Sequence, residues 1–346
     1  MAPRPLSAPP TVRLADVDPA LLADVAEEAR TAIEDLPEAL RVARALGGRA
    51  PLPGGGSTAG YLSVLATVAA VDLTVARVVE PHLDALAILD QAGLQPGHGA
   101  YGVYAAERPG LDPVSVEQDG DRVRLTGTKP WCSLAGALDR ALLTAGEGEA
   151  RRLYDLDLHD PGAAALRGTW VSRGLAAVDS GDLRLDGVSA SPVGGPGWYL
   201  RRPGFAWGGI GVAACWFGGA VALAAALSRA SERRPPDQLA LAAIGEADRL
   251  LWSARSVLEG AADRIDQGRA VGADGALLAA RVRGVVADAA ERVLVLVGHA
   301  LGPAPLAFDE DHARRVADLT VYLRQHHAAR DDAAAGRAVL AEGGAA

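Results

Sequence analysis

The amino-acid sequence predicts an α+β fold of three parts: an N-terminal helical domain (residues 1–98), a central small β-barrel domain (99–200) and a C-terminal four-helix bundle (201–346). Three observations predict it. Apolar residues recur at helical spacing from Val12 to Leu94, the period drops to two between residues 99 and 195, and from Gly204 onward long helical patterns return, separated by Gly/Pro joints. A chain of 346 residues with 49% hydrophobic and 22% charged positions can bury a core of that size.

Within the first part, Leu21, Leu22 and Val25, then Ile33, Leu36 and Leu40, then a long segment from Thr58 to Ala92 carry the 3.6-residue period. The stretch Pro51 to Gly56, reading PLPGGG, breaks that pattern, and Ser57 or Thr58 can cap the helix that follows. His82, behind Pro81, reads as a packing or helix-surface residue rather than a base. Ahead of these helices, Met1 to Pro10 is Pro-rich and lacks the apolar core of a signal peptide, so it reads as a disordered arm and the expected location is cytoplasmic.

Asp90 to Gly102 is rich in turn residues and marks the first boundary. Beyond it, Val114 and Val116, then Val123 and Leu125, alternate with polar residues on either side of Asp119-Gly120, the pattern of a hairpin. Lys129-Pro130-Trp131-Cys132-Ser133 follows; in an extended segment, Trp131 and Ser133 would share one face. An indole surface beside a hydroxyl suits a flat redox cofactor, although Trp131 also reads simply as a core aromatic. Leu153 to Leu158 and Leu183 to Val188 are further strands of a sheet with one wet face.

Gly204 to Leu227 carries no charge and is long enough to span a bilayer, but Gly and Ala dominate it, so a buried bundle helix is the expectation. Small residues at Gly211, Cys215 and Gly219 would let a neighbouring helix approach. Gln238 to Gln267, Ala276 to Leu301 and Asp311 to Ala345 complete the bundle, with Asp248, Arg249, Arg255, Glu259 and Arg264 on a solvated or subunit-facing side. The net charge of −9 and pI of about 5.3 argue against nucleic acid as a partner. Cys132 and Cys215 suit buried thiols better than a disulfide, and no Cys/His group has metal spacing.

The order of features from 101 to 142 resembles the central domain of the acyl-CoA dehydrogenase superfamily: an aromatic-rich segment ending in Ala106-Glu107, a hairpin, then Leu125, Gly127, Lys129 and Trp131 in a Leu-x-Gly-x-Lys-x-Trp pattern, then Asp139-Arg140-Ala141-Leu142. The resemblance implies FAD as cofactor, with Trp131 and Ser133 against the flavin ring and its N5 side, and Ala105 and Ala106 contacting it from the loop before the hairpin. It also implies a glycine loop near the active-site mouth, where PLPGGG stands, a small-molecule substrate such as an acyl-CoA, and a homodimer or homotetramer.

The sequence departs from that pattern in three places. Aligning Arg315 to Arg324 with the family's last helix puts Arg324 where a catalytic glutamate belongs, and arginine cannot serve as a base. His326, His327, Asp309 and Glu310 are the candidate replacements, each equally readable as a surface or capping residue. Leu111-Asp112 stands where the family has Gly-Ser, and the joint at 233–238 lacks the usual Phe-Gly turn. Three functions fit: an acyl-CoA dehydrogenase-like oxidoreductase with another base, a flavin monooxygenase on the same scaffold, or a non-catalytic partner subunit of a hetero-oligomer.

Overall fold

The computed structural model describes residues 10–341 except Asp16, Glu147, Glu149, Ala150 and Arg234. The N-terminal arm therefore lies almost entirely outside the described residues, as do Arg234 of the expected 233–238 joint and the end of the last expected helix. Helices α1 (Pro19–Thr31) and α2 (Leu36–Gly47) start at Asp18 and Asp35, whose carboxylates accept from Ala20 N at 2.9 Å and Glu38 N at 3.0 Å.

The expected single helix from Thr58 to Ala92 is two, α3 (Thr58–Val71) and α4 (Leu73–Gln91), because Asp72 turns extended and caps α4 through Val75 N at 2.9 Å. α3 is apolar all round and buried nearly throughout, the signature of a helix at the centre of a fold. Its two inner hydroxyls, Ser63 and Thr67, accept from Leu14 N and Val12 N at 2.9 Å and stitch the incoming chain to it. Neither Ser57 nor Thr58 caps α3 as expected. Asp266 does, accepting from Gly56 N, Thr58 N and Thr58 Oγ1 at 3.2, 2.9 and 2.6 Å. A Cβ on Gly54 would stand 2.6 Å from Trp207, so PLPGGG is packed against the helical part.

The central part is one seven-stranded sheet: β1 (Tyr101–Tyr104), β2 (Ser115–Asp119), β3 (Arg122–Lys129), β4 (Arg140–Ala145), β5 (Arg152–Asp157), β6 (Ala163–Ala165) and β7 (Leu183–Val193). Its pairing order, β1-β4-β5-β7-β3-β2 with β6 on β7, is open, not the closed barrel expected; β1 runs parallel to β4 and the other pairs are antiparallel. The hairpin is present, with Asp119 opposite Arg122 and Gly120 at φ +62° in the turn. β7 does not end at Val188 but continues past a bulge, where Gly187 at φ +66° lets the register slip against Leu125 and Gly127.

After a short helix α5 (Trp198–Arg201), the C-terminal part has three long helices, α6 (Pro203–Arg233), α7 (Gln238–Asp266) and α8 (Gly272–Leu301). By length and hydropathy α6 could cross a membrane, but 78% of its most apolar window is buried inside the protein. It packs on α3, and the closest approach is at Gly218, off the expected stripe: a Cβ there would stand 2.1 Å from Ala66 O. On α7, Asp248, Arg249 and Arg264 are exposed, whereas Arg255 and Glu259 hold the backbone of Arg13 and Ala15.

No single helix fills the fourth place in the bundle. A short α9 (Ala304–Phe308) precedes α10 (Glu310–Tyr322), a 3-10 turn covers Leu323–Gln325, and α11 (Ala329–Ala341) resumes after His326 goes extended and Ala328 adopts φ +44°. The main hydrophobic core runs through all three parts, from Val12 to Leu323, and a smaller second cluster joins α4 to the sheet and α5.

Candidate active site

A cavity of about 920 Å³ lies where the three parts meet. α4 supplies Arg77, Val78 and Pro81; β1 and the loop after it supply Tyr101 to Arg108; the loop after β3 supplies Trp131, Ser133, Leu134 and Leu138; residues between 169 and 182 form a flap; and the end of α10 with the turn beyond it brings Val321, Tyr322, Arg324, Gln325 and His327.

Of the residues expected to hold a cofactor, all four, Ala105, Ala106, Trp131 and Ser133, are in this wall. The local geometry differs from the expected strand face. β3 ends at Lys129, and Trp131 (φ +61°) and Leu134 (φ +59°) adopt left-handed backbone in a tight turn, where Ser133 N donates to Trp131 O at 3.1 Å. Left-handed conformation at non-glycine residues stores strain, which the surroundings must hold. Here Cys132 N and Leu134 N donate to Gly181 O and Asp179 O at 2.8 and 2.7 Å, and Tyr104 OH donates to Ser133 O at 2.9 Å. The turn leaves the Trp131 indole 55% exposed to the cavity, not sealed in the core.

Lys129 fixes the neighbouring loop. Although almost fully buried, its ammonium donates to Glu107 Oε1 at 2.7 Å, Thr144 O at 2.8 Å and Thr144 Oγ1 at 2.9 Å. Burial pushes its pKa down, opposed by the bond to Glu107. Arg151 bonds Glu107, Thr144 Oγ1 and Ala105 O from the other side, so the segment carrying Ala105 and Ala106 is clamped by two cations.

The flap is fastened to α10. Leu175, itself at φ +51°, donates its N–H to Asp318 Oδ1 at 2.5 Å, and Trp170 Nε1 donates to Leu175 O at 3.1 Å. A Cβ on Gly174 would stand 2.0 Å from Ala317 O, so the flap lies directly on the helix backbone. Burial pushes the Asp318 carboxyl up to about 6, partly offset by the Leu175 N–H.

The candidate bases divide. His327 lines the cavity, as does Arg324, which is paired with Glu291. His326 points away, edge-on to Trp216 with ring centroids 6.3 Å apart. Glu310 and Asp309 begin α10, where Asp309 caps His312 N at 3.1 Å; neither lines the cavity. The cavity carboxylates, Glu107 and Asp182, are both ion-paired, Asp182 with Arg108 at 2.7 Å. His82 is a buried packing residue whose Nδ1 accepts from Tyr101 N at 3.2 Å. PLPGGG and Leu111-Asp112 contribute nothing to the wall. Sequence reasoning missed Arg77 and Glu80. Their signal was two charges one turn apart in the mostly apolar run Leu73–Leu83.

No protein-family model matches the sequence, and no curated protein matches it. Solved structures do. TdsC from Paenibacillus sp. A11-2, determined with FMN and indole, superposes with a TM-score of 0.78 over 93% of this chain and 96% of its own, at 16% identity; elsewhere that protein is described as dibenzothiophene monooxygenase. KijD3, in complex with FMN and a dTDP-amino-keto sugar, gives 0.75 over 95% of each chain at 18% identity. Butyryl-CoA dehydrogenase from Megasphaera elsdenii gives 0.75 over 89% of this chain and 94% of its own at 17% identity. Across nearly its whole length the chain therefore has an acyl-CoA dehydrogenase-like fold.

Proposed function

We propose that the chain is a flavin-dependent oxidoreductase, and that it acts as a monooxygenase on a small, largely apolar substrate. The observation that carries the flavin reading is the Trp131 indole, held in a strained turn and exposed to the cavity beside Ser133, Ala105 and Ala106. At about 920 Å³, the cavity is at the upper end of the roughly 300–1,000 Å³ typical of ligand sites. It has room for a tricyclic ring and a small substrate together.

When bound, the flavin would supply two-electron redox chemistry and reaction with dioxygen. Trp131 would be the ring's wall, the clamped 105–107 segment its edge, and the flap on α10 the barrier to water. Between FAD and FMN, FMN is the reading favoured here. TdsC and KijD3 were both solved with FMN.

Oxygenation is favoured over dehydrogenation of an acyl thioester because α-proton removal needs a free carboxylate or equivalent base. Both cavity carboxylates are in ion pairs, and Arg324 stands at the expected glutamate position. Dehydrogenation is the second reading, resting on His327 as the acceptor. The exposed Leu241 and Trp252, on one face of α7, support self-association, as a homodimer or homotetramer.

The test is equilibrium titration of the purified protein with FMN and FAD, followed by anaerobic mixing with an acyl-CoA. FMN binding that Trp131→Ala weakens by ~10-fold or more supports the site, that factor being the order set by losing one aromatic stack. Bleaching by acyl-CoA would replace the oxygenase reading with the dehydrogenase one. Binding of neither flavin would remove both.

A further inference from the structure

Behind Ser133 the cavity wall carries a cation, Arg77, whose partner Glu80 lies beneath the wall. Arg77 and Glu80 on α4 are only 11% and 7% exposed and meet at 2.7 Å through Arg77 Nη1 and Glu80 Oε2. The guanidinium lies over the Tyr322 ring, 5.2 Å from its centroid, and Tyr322 OH stands 3.5 Å from Glu80 Oε2. Its other terminal nitrogen, Nη2, donates to Ser133 Oγ at 3.3 Å. A guanidinium has five N–H donors, and these bonds use two.

Counting protons assigns the roles. Ser180 Oγ donates its one hydrogen to Val178 O at 2.9 Å, so across the 2.8 Å contact between the hydroxyls Ser133 is the donor. The Ser133 hydrogen is thus committed to Ser180, and its oxygen already accepts from Arg77. The donor available to a ligand at this end of the cavity is Arg77, not Ser133.

We propose that Arg77, held by Glu80 and Tyr322, binds an oxyanion at the Ser133 end of the cavity, selecting aromatic carboxylates or phenolates as substrates. The aromatic preference follows from Trp170, Tyr104 and Tyr322, which line the same space. The substrate class rests on the cavity being the substrate site proposed above; the anion site itself does not require a flavin. The same chemistry could be met by the flavin's phosphate, and the experiment separates the two sources.

Glu80 sets how much of the Arg77 charge is expressed. Burial pushes its carboxyl up to about 7, against the pull of Arg77 and with a further push from Asp84. Below that pH Glu80 is neutral and Arg77 is uncompensated; above it the pair is nearly neutral, so anion binding is stronger at pH 6 than at pH 8. The other groups facing the pair do not reverse this sign. Tyr61 of α3 and Tyr322 of α10 are raised well above 10, burial raises the Cys215 thiol of α6, Arg202 faces Asp84 at 3.7 Å, and Arg283 of α8 stays cationic. His327, also on the wall, is removed from account by His327→Gln.

The experiment is calorimetric titration of the full chain with benzoate and with neutral benzamide, and in parallel with FMN and phosphate-free riboflavin. Wild type is expected to prefer benzoate by ~10-fold or more, the order of one charge-assisted hydrogen bond. Arg77→Met should erase that preference while leaving benzamide unchanged, and Arg77→Lys should restore part of it. Should Arg77→Met strand Glu80 and unfold, the pair Arg77→Met with Glu80→Gln removes the stranded charge. Glu80→Gln alone should raise benzoate affinity at pH 8 to its pH 6 level. If Arg77 instead meets the cofactor, the double variant loses the preference for FMN over riboflavin and keeps the one for benzoate; that outcome retains the anion site and overturns the substrate class. Both preferences surviving in the double variant, or neither present in wild type, overturns the proposal. Failure to bind riboflavin or FMN at all, with benzoate discrimination intact, removes the flavin reading alone.

Discussion

Replacing Lys129 with methionine keeps the aliphatic stem and deletes the ammonium that orders one wall of the cavity. Two of its bonds go to Thr144, which is buried, and each is worth about 1 kcal/mol. The third, to Glu107, is discounted to below about 1 kcal/mol because that carboxylate is 44% exposed. Relief of the cost of burying an ammonium works in the opposite direction. The net is a loss of about 2 kcal/mol, a few degrees in the melting temperature for a chain of this size. Two assays read it. Thermal unfolding reports the stability change, and cleavage after Glu107 by a glutamate-specific protease reports whether the 105–108 segment has loosened. FMN affinity should fall in step with the cleavage rate. A melt unchanged within half a degree, or a looser segment with unaltered FMN binding, would refute the assignment of Lys129 as the cation that holds the cofactor edge.

Two other consequences are open to measurement. Burial, helped by Arg44, holds the His82 imidazole down to about 4, against an ordinary value of 6.5; a base depressed in the folded state contributes stability that is full above pH 6.5 and is lost as pH falls from there toward 4, by up to about 3 kcal/mol at about 1.4 per unit. His82→Gln should flatten that part of the stability profile, and an unchanged slope between pH 4 and 6.5 would show that other groups set it. Gly174→Ala forces a methyl against Ala317 O, and since neither backbone can yield cheaply the flap must lift, at about 1–3 kcal/mol. Quenching of tryptophan fluorescence by acrylamide should rise as Trp170 becomes accessible, and equal quenching in the two proteins would mean that the flap tolerates the methyl.

Period and turn chemistry made most of the architecture legible. The hairpin was readable because Val116, Val123 and Leu125 alternate around a Gly-containing turn, and the buried part of α6 because Gly204 to Leu227 carries no charge along so much of its length. The sheet's closure was not, because alternation says which face of a strand is wet and nothing about whether the first and last strands meet. The same limit explains the helix ends. Asp266 lies more than two hundred positions from the helix it caps, so sequence offered only the adjacent Ser57 and Thr58. At the site, Trp131 and Ser133 line the cavity through a geometry other than the one expected. An extended segment and a left-handed turn both bring residues two apart to one side, and the spacing does not distinguish them. Arg77 and Glu80 went unread because a charged i, i+3 pair on a helix is ordinarily a solvated one, and only tertiary packing buries it.

The break after α10 shows how that packing composes the cavity. Nothing in Leu323-Arg324-Gln325-His326-His327 is a helix breaker, yet the chain leaves the helix there. The cause lies in α8, where Arg283 donates to Gly209 O on α6 and to Gln325 O, each at 2.9 Å, with its guanidinium 4.7 Å above the Trp216 ring. A carbonyl captured by a side chain of another helix leaves the helical ladder, and His326 then packs edge-on against the same indole while His327 N finds Asp331 at 3.0 Å to start α11. Had α10 run on, residues 326 and 327 would sit on one continuous helix and their side chains would diverge by its rotation alone. With the break, His326 is spent on the bundle interior, and Arg324, Gln325 and His327 reach the cavity. The chemistry presented where a glutamate was expected is therefore decided by a half-buried arginine and a buried tryptophan on two other helices, and the residues that build this wall are not the ones that face it.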